Sequence, residues 1–266
     1  MRKARECSDF RVVWQCNCPI IAFVLTLALD TSSPGGSLAV LRDRKVVGAV
    51  STWTDEIYSS RMFRHLEFLL GELSLSLKEF DLFAVVAGPG SFTGLRVGLA
   101  AVKGWAEVYN KPIAAISGLE ALAVQSHSSA SVLVPVMDAR RGQVYFGAYR
   151  RTETPEGSGL ALDGEECVMA PGEFVEMIQA RAATCELAIV TPEPEIISNA
   201  LSGVASGGVP ARRIRVDQVS AILAPHVGLL GYVRAQRGEL VNALTLDANY
   251  VRRTDAELHW KGPATS

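Results

Sequence analysis

Val85-Val86-Ala87-Gly88-Pro89-Gly90-Ser91-Phe92-Thr93-Gly94-Leu95-Arg96-Val97-Gly98 carries more information than any other stretch of this chain. Its β-branched, apolar entry predicts a buried strand over 83–87. Gly88-Pro89-Gly90 then breaks the strand, because glycine tolerates positive φ and proline fixes its own. Ser91 has the side chain of an N-cap, and a helix is predicted over 92–109, stopped by Asn110 and by Pro112 beyond it. A glycine turn that feeds a helix N-terminus can hold an anion, with Gly88, Gly90 and Ser91 as its donors. The same turn reads equally well as a tight connection without a ligand. It is not a P-loop, since no Gly-Lys-Ser/Thr follows the last glycine.

Working outward from this turn, the first unit reads as strand 23–29, turn 30–35, strand 37–41, strand 46–52 and helix 59–73. A second unit begins the same way, with strand 132–137, turn 138–142 and strand 143–150. Each has an Asp at the end of its first strand and a glycine-containing turn after it. Such an internal repeat outweighs any single motif. It predicts an α/β fold of two RNase H-like lobes in the actin/Hsp70/sugar-kinase architecture, with mixed sheets flanked by helices. The expected division is 21–125 for the first lobe and 126–255 for a reduced second lobe with a C-terminal helix over 224–236. Residues 1–20 are expected to form a disordered extension or to follow a start codon placed too far upstream, and 256–266 a frayed tail. Within the second lobe, 151–164 reads as a loop, 171–179 as a short helix, and 192–210 as Gly/Ser/Pro-rich chain without an element.

The composition bounds the function. The chain has 266 residues, a net charge of −2, 48% apolar and 20% charged residues, which suits two modest packed lobes and excludes wholesale disorder. It lacks the basic footprint of a protein that grips nucleic acid unaided. Cys7, Cys16, Cys18, Cys167 and Cys185 are odd in number and irregular in spacing, which points to a reducing cytoplasm, and Cys16-Asn17-Cys18 is too little for a metal site. The apolar run 20–29 follows Met1-Arg2-Lys3-Ala4-Arg5. Glu6 and Asp9 interrupt that basic start, no small-x-small site follows, and the run is too short for a membrane span. A buried first strand accounts for it.

Several constellations carry two readings. Asp30 and Asp138, at equivalent strand ends, either hold hydrated Mg²⁺ or cap their own turns. Thr31, Ser32 and Ser33 donate either to a phosphate or to that turn, and Arg140-Arg141 serve either an anion or a local ion pair. On the first helix Met62, Leu66, Leu69 and Leu73 form a stripe that Phe63 and Leu70 widen. On the second, Gly94, Gly98 and Ala101 share a face that admits close approach. Each face suits either the chain's own sheet or a partner's helix. His65, His127, His226 and His259 show no ligand spacing. There is no Gly-x-Ser-x-Gly motif and no cysteine with an evident histidine partner.

The segment AGPGSFTGLRVGLAAVKGWA, 87–106, closely resembles the signature of the bacterial TsaB (YeaZ) family. Leu27-Ala28-Leu29-Asp30-Thr31-Ser32 is similar to that family's opening strand and turn. Ile116-Ser117-Gly118-Leu119-Glu120-Ala121-Leu122-Ala123 is similar to the segment after its second helix, and Pro135-Val136-Met137-Asp138-Ala139-Arg140-Arg141-Gly142-Gln143-Val144-Tyr145 to its second-lobe hairpin. The resemblance runs in order from Leu25 to Arg150, and weakly on to Asn249-Tyr250-Val251-Arg252. It implies a non-catalytic subunit of the machinery that makes N6-threonylcarbamoyladenosine (t6A) in tRNA. The implied partners are a TsaD-like catalytic subunit and a TsaE-like ATPase, with a homodimer when alone, tRNA met only through the complex, and no membrane. No cofactor of its own is implied; ATP and Mg²⁺ would serve the assembled complex. The resemblance places the partner interface on the two first-lobe helices, at Met62, Phe63, Leu66, Leu69, Leu70, Gly94, Arg96, Val97, Gly98 and Ala101. In TsaD-type relatives the segment matching 117–122 reads Asn-His-x-Glu-x-His, and its histidines hold a metal. Here Gly118 and Leu122 stand at those positions, with Glu120 retained, so no metal site is expected. Family members commonly start the first helix with His-Ser where this chain has Tyr58-Ser59. A stand-alone actin-like ATPase or small-molecule kinase using Asp30 and Asp138 is the alternative, and a peptidase lacks its metal ligands.

Overall fold

The computed structural model describes residues 23–33, 35–54, 58–154, 157–204 and 213–252. The extension 1–20, with Cys7, Cys16 and Cys18, and the tail 256–266, with His259, lie outside the described residues.

The first lobe opens with three antiparallel strands, β1 (Leu25–Asp30), β2 (Ser37–Arg42) and β3 (Lys45–Val50). Helix α1 (Tyr58–Leu73) and a single 3-10 turn lead into β4 (Leu82–Gly88), parallel to β1. Helix α2 (Phe92–Tyr109) then leads to β5 (Ile113–Ser117), and the sheet order is β3-β2-β1-β4-β5. All residues of β1 and β4 are buried, as expected of central strands covered on both faces. Edge strand β3 has no buried residue and begins with Lys45 behind Arg44. The predicted limits of α2 hold. Ser91 Oγ accepts from Gly94 N, and Asn110 ends the helix in the left-handed region at φ 50, its N–H donating to the Ala106 carbonyl.

After the short helix α3 (Gly118–Ala123) the pattern repeats. The strands are β6 (Val132–Arg140), β7 (Gln143–Phe146), β8 (Tyr149–Thr154), β9 (Gly157–Leu162) and β10 (Cys167–Met169), followed by α4 (Pro171–Ala182), β11 (Leu187–Thr191), α5 (Glu195–Val204) and β12 (Ile214–Gln218). The order β10-β7-β6-β11-β12, with β6–β7 and β7–β10 antiparallel and β6–β11 and β11–β12 parallel, copies the first sheet strand for strand. The internal repeat is therefore real, and the fold is the expected pair of RNase H-like lobes.

Three sequence readings need correction. The strand predicted over 143–150 breaks at Gly147 into β7 and β8, and β8 pairs with the start of β6 and with β9. The loop predicted over 151–164 is that β8–β9 hairpin; its polar residues and Gly157, Gly159 dilute the strand signal. Within 192–210 the helix α5 forms because Ile197 is buried in the second-lobe core, a tertiary contact that outweighs its Ser/Gly content.

The lobes exchange helices. Helix α6 (Ala224–Arg237), which follows the second sheet, lies across β1, β2, β4 and β5 of the first. Gly231 permits this approach, since a Cβ there would stand 2.7 Å from Ala84 Cβ. Helix α3 in turn packs on β6 and β11. The first sheet is thus covered by α1 and α2 on one face and α6 on the other. The two chain crossings are stapled together: Gln125 accepts from Ser220 N and donates to Ser220 O, both at 3.1 Å, and Ser126 Oγ donates to Asp217 at 2.5 Å.

Candidate functional site

A cleft of about 700 Å³ opens between the lobes. The β1–β2 turn and the glycine turn line it from the first lobe; the β6–β7 turn and Glu193 line it from the second.

At the end of β1, next to the cleft-lining Thr31, Ser32 and Ser33, Asp30 is fully buried. One carboxylate oxygen accepts from Ser32 N at 2.8 Å and Ser32 Oγ at 2.6 Å, the other from Ser33 Oγ at 3.3 Å. Burial pushes the Asp30 pKa up, and these hydrogen bonds work against that shift. Asp138 repeats the device, accepting from Arg140 N at 2.7 Å and pairing with the Arg140 guanidinium at 3.2 Å. Both repeat-related aspartates thus accept the N–H two residues on, as turn-forming aspartates do. Thr31 Oγ1 is committed to the Gly94 carbonyl at 2.7 Å. Burial, and then Asp138, raise the pKa of Glu193 across the cleft. Arg140 and Arg141 both adopt left-handed backbone, at φ 60 and 58, at the lip.

The glycines of the turn are demanded by packing. At φ +140 Gly88 has no room for a Cβ beside the Asn249 carbonyl oxygen, and a Cβ on Gly90 would stand 2.5 Å from Ser32 Cβ. Two turn N–H groups are already engaged, Ser91 N with Ser32 O at 2.8 Å and Gly94 N with Ser91 Oγ at 3.3 Å.

Leu122 lines the cleft, and Gly118 sits buried against Val86, Pro89 and Met137. Neither position offers a lone pair. Glu120 ties α3 to α6 through an ion pair with Arg234 at 2.7 Å. Burial raises its pKa, and Arg234 opposes the shift. Among the described residues no three His, Cys, Asp or Glu side chains gather as a metal site.

The helix faces are assigned differently from the sequence reading. Met62, Leu66 and Leu69 are 0, 6 and 4% exposed and belong to the first lobe's own core, with Leu70, Val97 and Ala101 half-buried against it. A Cβ on Gly94 would overlap the Thr31 carbonyl oxygen, and one on Gly98 the Thr31 hydroxyl. The small-residue face therefore admits the β1–β2 turn of the same chain, not a second helix. Of the ten predicted interface residues only Phe63, at 54%, and Arg96 are exposed, and Arg96 lies over the Phe92 ring and reaches the Tyr250 hydroxyl. The outer faces also carry Phe68 at 59% and Val108 at 75%, and around Gly104 a Cβ would meet nothing within 4 Å. The sequence reading does not single out these three. Their signal was being out of phase with the apolar stripe, together with a mid-helix glycine that no packing explains.

Comparison with known proteins places the chain. Residues 44–206 match the family described as "TsaD: tRNA N6-adenosine threonylcarbamoyltransferase". The protein of Bacillus subtilis (strain 168) named tRNA threonylcarbamoyladenosine biosynthesis protein TsaB is 36% identical over 47% of this chain and 54% of its own length. The Haemophilus influenzae protein of the same name is 31% identical over 58% of this chain and 67% of its own. The matched part thus spans about half to two thirds of these relatives. The solved structure "YeaZ from Pseudomonas aeruginosa" superposes with a TM-score of 0.66 at 25% identity, covering 85% of this chain and 99% of that one. No helix among the described residues is long and apolar enough to cross a membrane.

Proposed function

From the premise that the chain belongs to the TsaB (YeaZ) family, we propose that it is a non-catalytic partner subunit of the complex that forms t6A in tRNA. It pairs with a TsaD-like catalytic subunit. A TsaE-like ATPase joins the pair, tRNA binds through the assembled complex, and ATP and Mg²⁺ act there rather than on this chain alone. Its compartment is the cytoplasm, and the surface that takes the partner supports a homodimer when the chain is alone. The observation that carries the reading is the relatives' shared name, joined to Gly118 and Leu122 of α3, neither of which is a metal ligand.

The docking surface in this reading is the outer side of α1 and α2. Phe63, Phe68 and Val108 expose large apolar side chains there, while Ala100 and Gly104 leave room for close backbone approach. The test reconstitutes the full chain with the TsaD-like and TsaE-like proteins of the same cell, tRNA, threonine, bicarbonate and ATP, plus the enzyme that makes threonylcarbamoyl-AMP. Modified nucleoside is read by mass spectrometry. Product should need the chain and the TsaD-like subunit together, and the chain given threonylcarbamoyl-AMP by itself should make none. Robust turnover by the isolated chain overturns the non-catalytic assignment. Product formed equally well without the chain overturns the partner role.

A further inference from the structure

The chain crosses between the lobes a third time, at Asn249–Arg252, and this crossing is built unlike the other two. It runs on the surface. Asn249 and Tyr250 are exposed, and Val251 and Arg252 are half-buried. On the first lobe Asn249 N donates to the Ala87 carbonyl at 2.7 Å, and the missing side chain of Gly88 makes room for the Asn249 carbonyl. The Tyr250 ring packs on Phe92 with centroids 5.2 Å apart, and Arg96 donates to its hydroxyl at 3.4 Å. On the second lobe Arg252 donates to the Gln143 side chain and, at 3.5 Å, to the Arg140 carbonyl.

One carboxylate fastens the segment. Glu166, from the loop before β10, accepts from Asn249 Nδ2 at 2.8 Å. Its other oxygen accepts from Tyr149 Oη at 2.6 Å and from Ser117 Oγ. Ser117 ends the first lobe's sheet and caps α3, taking Leu119 N at 3.1 Å and Glu120 N at 3.3 Å on its hydroxyl oxygen. Tyr149 belongs to β8 of the second lobe. Glu166 therefore collects three donors, two from the first lobe or the crossing and one from its own lobe. Hydrogen bonds to a charged acceptor are about twice as strong as neutral ones. Asn249, Tyr250 and Val251 also form the wall shared by the 700 Å³ cleft and a second cavity of about 560 Å³ that Ser117, Glu120 and Glu166 line. Removing that wall would join the two spaces.

We propose that Asn249–Arg252 is a strap latched by the Glu166 carboxylate, and that opening of the interlobe cleft requires its release. Apart from the bond of Asn249 N to the Ala87 carbonyl, the strap is held by side-chain hydrogen bonds and pairs with no strand, so it can lift without breaking the ladder of either sheet. The Gln125–Ser220 staple would then remain as the hinge.

The test is hydrogen–deuterium exchange on the full chain, comparing the wild type with Glu166→Gln and Asn249→Asp. The first removes the charge and turns one of the two acceptor oxygens into a donating amide, so the three donors can no longer all be met; the second sets a carboxylate against Glu166. Both should speed exchange in peptides covering 87–92 and 248–252 by at least about tenfold, which corresponds to about 1.4 kcal/mol of lost latching. Exchange in the central strands β1, β4, β6 and β11 should stay at the wild-type rate. Small-angle scattering should show a larger radius of gyration. Unchanged exchange in the strap peptides overturns the proposal. So does acceleration spread equally through both lobe cores, because that means the cluster only supports overall stability.

Discussion

Two glycines on one helix should respond to the same substitution with opposite signs. Gly98 and Gly104 both lie in α2, and Gly→Ala in a helix interior gains about 1 kcal/mol from backbone entropy and solvation. At Gly104 nothing lies within 4 Å of the added methyl group, so Gly104→Ala should stabilise the protein by up to about 1 kcal/mol. At Gly98 the methyl group would overlap the Thr31 hydroxyl and stand 3.2 Å from Thr31 Cγ2 and 3.3 Å from Thr31 Cβ. Thr31 cannot swing aside freely, because Oγ1 holds the Gly94 carbonyl at 2.7 Å. Overpacking costs about 1–3 kcal/mol and loss of that hydrogen bond about 1 kcal/mol more. Set against the helix gain, Gly98→Ala should destabilise by about 1–3 kcal/mol. Urea unfolding of both variants reads the difference directly. Thr31→Ala in the Gly98→Ala background removes the obstructing atoms and should recover at least half of the loss, a coupling that a double-mutant cycle isolates. If Gly98→Ala proves as stable as Gly104→Ala, and Thr31→Ala shows no coupling with it, then α2 does not rest on the β1–β2 turn.

Asp30 gives a prediction in pH. Burial raises its pKa in the folded chain, so its contribution is most favourable below the unfolded carboxylate value, about 3.9, and is lost as pH rises through the folded pKa. Asp30→Asn should therefore gain stability relative to the wild type between pH 4 and pH 7, measured by urea unfolding at each pH; a gap that does not move with pH refutes it. At the end of α2, Asn110 holds a left-handed φ of 50. Asn110→Gly should be neutral or slightly stabilising, whereas Asn110→Val should cost about 1–2 kcal/mol in the same assay. Equal midpoints for the two variants would show that the left-handed cap contributes nothing.

The parts of the fold that were legible in the sequence are those fixed by local chemistry. Ser91 and Asn110 set both ends of α2, because a cap acts on the N–H and C=O groups beside it. The duplication was legible through Asp30 and Asp138, since each turn is closed by its own carboxylate two residues away. What escaped was settled at long range. Strand β8 is a strand because Val132 and Leu133 offer it an edge, and its own residues say little. Gly94 and Gly98 announce close approach, but the approaching group is Thr31, from the β1–β2 turn. Periodicity states that a helix face is apolar and is silent on what covers it. The same limit hid the Glu166 cluster, whose members come from β5, β8, the loop before β10 and the last described segment, with no spacing in common.

Duplication also makes the lobes each other's control. Helices α1 and α2 stand to the first sheet as α4 and α5 stand to the second. Helix α4 buries Phe174, Val175 and Ile178, and among its described residues none exposes a large apolar side chain. Helices α1 and α2 bury an equivalent stripe and still expose Phe63, Phe68 and Val108. That exposed surface lies outside the lobe's own core, and under the proposed function it is where the partner docks. This separates two substitutions that the sequence alone treats alike. Leu66→Asp places a carboxylate among Met62, Leu69 and the sheet, and at a cost of several kcal/mol it unfolds the lobe, whatever α1 does with a partner. Phe63→Glu exchanges one half-exposed side chain for another and leaves the core whole. Calorimetric titration of Phe63→Glu and Gly104→Trp against the TsaD-like partner should show binding lost while circular dichroism stays at the wild-type spectrum. Folded variants that bind at wild-type affinity would mean that these outer faces are not where the partner sits.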